Sequence, residues 1–239
     1  MNNRSEWMPL AIVIGAMVLL NFLNGDFSNF GEWIMRQLLA LPGIVVGLSF
    51  HEFGHAIVSD RCGDPTPRSQ GRVTLNPAAH IDLVGFICLF FAGFGWGQPV
   101  EVDPRYYKHR RIDKFLVDIA GVVMNFLVAL AGAVILRFIA HGSSAFFMSA
   151  TGGAVIEIVQ QLILINLVLM IFNLIPVPPL DGFGILTQIF NLERYSWYYK
   201  VYSYGFYILL ALIFFGVTDK ILTPGIQAVY TWMFHTIIY

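Results

Sequence analysis

The stretch His51-Glu52-Phe53-Gly54-His55 lies inside an apolar run, residues 37–58, that is long enough to span a bilayer. On a helix, side chains four residues apart share one face, so His51 and His55 can both reach a single Zn²⁺. Glu52, one residue along, is then placed to take a proton from a water on that metal. The chain has 6 histidines in 239 residues. A chance match to this pattern is expected only about 0.004 times. The alternative is an accidental pair of core histidines, but ionisable residues inside a span are costly without a role.

The wider composition agrees with a membrane setting. Hydrophobic residues make up 57% and charged residues 12%, and mean hydropathy is +0.68. A soluble domain carries about 25% charged residues. The reading is an all-α polytopic membrane protein of about five or six transmembrane helices, with a short re-entrant or extended element near the zinc site. The whole chain, 1–239, is expected to form one membrane-embedded domain. Its catalytic core covers about 37–190, and 8–23, 201–217 and possibly 221–239 are peripheral helices. Net charge is −1, which gives no basic footprint for nucleic acid. Cys62 falls in a polar loop and Cys88 in an apolar run, so no disulfide framework is implied.

Five apolar segments are candidates to cross: 8–23, 37–58, 115–140, 155–175 and 201–217. The first resembles a signal peptide in outline but has neither a basic n-region nor a clear cleavage site, so it reads as a retained span. Segment 83–96 is apolar but short, and 221–239 is interrupted by Pro224-Gly225. Arg61, Arg68 and Arg72 precede 83–96, and Arg105, Lys108, Arg110, Arg111 and Lys114 follow it. Loops 24–32 and 141–154 carry no Lys or Arg. The positive-inside rule places both flanks of 83–96 in the cytoplasm, so that segment should enter the membrane and return. Irregular backbone at that depth needs shielding by protein or a watery cavity.

Zinc requires a third protein ligand and an open position for water. The candidate is Asp181, in Asn173-Leu174-Ile175-Pro176-Val177-Pro178-Pro179-Leu180-Asp181-Gly182. The prolines break the preceding helix and leave an acid at membrane depth; an interfacial turn with a solvated aspartate is the other reading. If 83–96 is re-entrant, Asp181 arrives on the same side as the histidines. The metal then sits about 13 Å from the cytoplasmic surface.

With these motifs in place, the chain resembles the site-2 protease family of membrane-embedded zinc metalloproteases. The matching stretches are HEFGHA at 51–56, GRVTLNPAAHID at 71–82, GWGQPVEVDP at 95–104 and NLIPVPPLDG at 173–182. The resemblance implies one Zn²⁺ per chain, with His51, His55 and Asp181 as metal ligands and Glu52 as catalytic base. It also implies a substrate-handling role for Asn173. Gly121-Val122 departs from the Gly-Pro of many relatives.

Weaker signals stay open between two readings. His80 can serve the substrate or hold structure beside Asp82. Asn76 and Asn125 can bind a substrate backbone or satisfy helix ends. Gln98–Val102 reads as extended and can take a substrate as an added strand, or form a plain surface turn. Glu157 is expected at a helix N-terminus, and Trp197, Tyr198, Tyr199 and Tyr202 in an interfacial belt.

The expected function is a zinc-dependent intramembrane endopeptidase acting on membrane proteins that carry a transmembrane segment. Its expected location is the cell membrane of a prokaryote, multi-pass in the bilayer, with the active site nearer the cytoplasm. A non-cleaving membrane-embedded binding or regulatory protein on the same fold is the alternative. A metal transporter would show inverted repeats and several intramembrane acids, and neither is visible.

Overall fold

The computed structural model describes residue 15 and residues 29–92, 95–142 and 144–239. Segment 8–23, expected as the first span, lies outside the described residues apart from Gly15. The described chain is all-helical. The main helices are α1 (Phe30–Arg61), α2 (Leu83–Ala92), α3 (Arg110–Ala140), α4 (Ala150–Asn173), α5 (Asp181–Phe190), α6 (Tyr198–Phe214) and α7 (Asp219–Met233). Helix α7 continues into a π-helical turn, Phe234–Ile238.

Helices α1, α3 and α4 are long and apolar enough to cross a membrane. Helix α6 and the segment Asp219–Ile238 are bent by 77° to each other and make a fourth span only if the pair counts as one. The predicted five or six spans are therefore an approximate count. Helix α1 outruns its apolar stretch at both ends. Asn29 accepts from the Glu32 amide at the start, and Arg61 closes the last turn before Gly63, which sits at φ +108°. Helix α4 begins at Ala150, capped by the Ser149 side chain accepting from Gly152 N. Glu157 therefore lies two turns inside the helix rather than at its N-terminus.

The three long helices pack on one another, with α3 against both α1 and α4. Small side chains on α3, Ala129 and Ala133, lie fully buried against Ile163 and Leu167 of α4. In lipid, where burying apolar surface adds little, such close approach is what holds helices together. Met233 and Ile238 at the C-terminus complete this cluster.

Segment 83–96 does not carry the chain to the far end of the bundle. Residues 95–98 lie back beside the start of α2, with Gln98 N donating to His80 O at 2.7 Å. A polar clasp joins the end of α1 to the approach to α3. Ser59 Oγ donates to Asp64 Oδ2 at 2.9 Å and lies 2.8 Å from Tyr107 Oη. Asp64 also accepts from Thr66 N at 2.9 Å and Asp103 N at 2.7 Å. The end of α1 and the approach to α3 therefore meet at one level, as the charge pattern of the loops requires. Burial pushes the Asp64 carboxyl up, but its hydrogen bonds outweigh burial and hold it below the ordinary 3.8. Burial pushes the Tyr107 phenol up to about 12.

Candidate metal centre

His51 and His55 project from α1 toward α3, four residues apart as the helical period requires. Their Nε2 atoms are 3.1 Å apart. Asp181, the first residue of α5, brings Oδ2 to 3.3 Å from His51 Nε2 and 3.4 Å from His55 Nε2. That oxygen is buried and has no hydrogen-bond partner among the described residues. Ligand atoms about 2.0–2.1 Å from a tetrahedral zinc lie about 3.3 Å from one another. The three separations match this value, so the donor set fits such an ion and leaves a fourth position open.

The outer nitrogens fix the rings. His51 Nδ1 lies 2.7 Å from Asn125 Oδ1, and His55 Nδ1 lies 2.7 Å from the Val117 carbonyl. Both partners on α3 are acceptors, so each ring carries its proton on Nδ1 and directs the Nε2 lone pair inward. The orientation of the Asn125 amide follows from its other contacts. Its Nδ2 donates to Gly47 O and to Asn166 Oδ1, each at 3.0 Å. Asn166 Nδ2 in turn donates to Leu162 O at 2.8 Å. One directional chain of hydrogen bonds thus links α1, α3 and α4 behind His51.

Gly121 brings α3 to this distance. A Cβ there would lie 2.5 Å from both His51 Cε1 and His55 Nε2. The helix runs unbroken through Val122, so the departure from Gly-Pro leaves α3 intact.

Glu52 points to the other limb of the α2 hairpin, where its Oε2 accepts from Val100 N at 3.0 Å. Residues 95–103 are non-helical and form no strand, and Val100 of the Gln98–Val102 stretch lies against Glu52. His80 is fully buried. Its Nε2 lies 2.7 Å from Thr74 O, and its own carbonyl holds Gln98 N. It braces the 95–103 segment rather than joining the three donors. Asn173 ends α4 and gives its amide to Leu169 O at 2.9 Å, inside its own helix. Asn76 caps a 3₁₀ turn by accepting from Ala78 N. Of the aromatic belt, Tyr198 is turned inward and stacks on Phe183 of α5 at 5.6 Å, whereas Tyr199 and Tyr202 are exposed.

Sequence reading missed the positioning parts of the centre. Asn125 stood there only as a candidate for substrate or helix ends. Val117 and Val100 act through backbone atoms, which no side-chain pattern reveals. Asn166, a polar residue in the middle of an apolar helix, was the one signal available.

The chain is similar to several known proteins. The model of "Peptidase family M50" matches residues 141–216, a stretch that includes Asp181. "Putative zinc metalloprotease YwhC" of Bacillus subtilis (strain 168) is 36% identical over 185 residues, covering 77% of this chain and 84% of that protein. "Putative zinc metalloprotease Rip2" of Mycobacterium tuberculosis (strain ATCC 25618 / H37Rv) is 28% identical over 234 residues, 90% of this chain and 86% of its own. No solved structure matches the chain. With this likeness to YwhC over most of both chains, and a three-donor centre built as such an enzyme needs, the protein belongs to peptidase family M50.

Proposed function

We propose that the protein is a zinc-dependent intramembrane endopeptidase that cuts peptide bonds in or near the transmembrane segments of other membrane proteins. The observation that carries this reading is the convergence of His51, His55 and Asp181 beside Glu52 on helices apolar enough to span a bilayer. Zinc held by the three donors supplies a Lewis acid that polarises the scissile carbonyl and makes water a stronger nucleophile.

The remaining work falls to the chain itself. Glu52 takes a proton from the attacking water and passes it to the leaving amine. Its Oε2 is held by Val100 N, which leaves Oε1 available for that proton. Asn125 and the Val117 carbonyl hold the histidine rings so that they need not reorganise during turnover. A substrate helix hides its carbonyls and must unwind to be cut. The non-helical backbone through Gln98–Val102 is a candidate edge for such a peptide to pair with.

The basic loops support a centre nearer the cytoplasmic face. Gly121 lies about 16 Å along α3 from Arg110, consistent with a site below that surface. Proteoliposomes holding the purified chain and a single-span model substrate test the reading. Cleavage is expected within the span, abolished by a chelator and restored by zinc. Cleavage confined to soluble peptides would refute the intramembrane assignment.

A further inference from the structure

The basic end of α3 and the last turn of α5 frame an open cavity of about 680 Å³. His109, Arg110 and Arg111 form its rim, and Ile112, Phe115 and Ile189 form its wall. Its lining contains no acid. The Arg111 guanidinium is fixed in place, with Nε donating to Gln188 O and Nη2 to Ile189 O at 2.5 Å. These carbonyls belong to the end of α5, where a helix leaves acceptors without partners.

The acids nearby are already engaged. Asp113 accepts from His109 N at 2.7 Å, and Glu193 pairs with Lys114 at 2.6 Å. Arg110 is exposed, and no hydrogen bond or ion pair engages it among the described residues. Uncompensated guanidinium charge therefore faces the cavity, in the form suited to bidentate phosphate binding. Directly beside it, Ile112 in the first turn of α3, a helix apolar enough to span a bilayer, is 62% exposed, and Ile189 in the last turn of α5 is 48% exposed. Apolar side chains exposed beside a basic rim suit contact with lipid acyl chains.

We infer that this cavity binds the phosphodiester of an anionic phospholipid, with its acyl chains laid along Ile112, Phe115 and Ile189. A free phosphate would satisfy the charge but gain nothing from the apolar wall. The assignment does not depend on proteolysis.

The test uses the full chain in nanodiscs of phosphatidylcholine with a minor share of phosphatidylglycerol, released into detergent and weighed by native mass spectrometry. Wild type is expected to retain one phosphatidylglycerol in preference to phosphatidylcholine. Arg110→Gln should lower that retention about five-fold, the usual worth of one basic residue at a membrane surface. Ile189→Gln should also lower it, and Lys220→Gln, at the start of α7, should not. Should one cavity variant unfold, the other decides. Equal retention of both lipids, or cavity variants that match wild type, overturns the inference. Displacement of phosphatidylglycerol by inorganic phosphate would mark a free-anion site and overturns the lipid assignment.

Discussion

The backbone amide of Val100 donates to Glu52 Oε2 across 3.0 Å, so the candidate base is fixed to the returning limb of the α2 hairpin. Replacing the acid with an amide preserves size and removes the proton acceptor. Glu52→Gln should lower cleavage by at least about 100-fold, the usual contribution of a general base. Zinc per chain, read by elemental analysis, should stay unchanged. Cleavage at the wild-type rate would remove Glu52 from the mechanism.

Asp181→Ala deletes the negatively charged donor and leaves two neutral imidazoles. Zinc retention through gel filtration should fall together with activity. Wild-type affinity in a zinc-buffer titration would place the third ligand elsewhere.

Asn125→Leu keeps bulk but removes the acceptor of the His51 proton and the donor to Asn166. Loss of such an outer partner typically costs about 10–100-fold in metal affinity. The stranded Asn166 oxygen adds about 1–3 kcal/mol of destabilisation. Competition with a chromogenic chelator checks the first effect and thermal unfolding the second.

Asp64 makes stability depend on pH. Its carboxyl is held below the ordinary 3.8 in the folded state, so it favours the folded form while ionised. That contribution is complete above the unfolded value near 3.8 and is lost as pH falls through the lower folded value. Unfolding midpoints measured from pH 6 downward should therefore drop more steeply below about pH 4 in wild type than in Asp64→Asn. Parallel curves would refute the assignment.

The α2 hairpin should leave its two flanks on one side of the membrane. With Cys62 and Cys88 replaced, single cysteines at Arg68 and at Lys108 should both resist an impermeant thiol reagent until cells are opened. Labelling of only one from outside would show that the segment crosses.

Much of this was legible from residue type and spacing. The two histidines share a helix face because 3.6 residues make a turn, and Pro176, Pro178 and Pro179 separate α4 from α5 so that Asp181 can turn inward. The bond from the non-helical stretch after α2 to Glu52 was not readable, because it uses a main-chain amide. The extent of α1 was not readable, because backbone hydrogen bonding carries a helix past its apolar stretch into polar Glu32 and Arg61. The bend after α6 falls at Gly216, φ +63°, where two apolar segments look like separate spans in sequence.

Helix α3 contributes none of the three candidate metal donors, yet it supplies Asn125, the Val117 carbonyl and the bare surface at Gly121. The template of the centre is thus encoded apart from the centre itself. A survey that sorts working enzymes from inert look-alikes by scoring only the two motifs would pass a chain whose third helix had lost this mould. Such a chain would carry every ligand and still fail to assemble them.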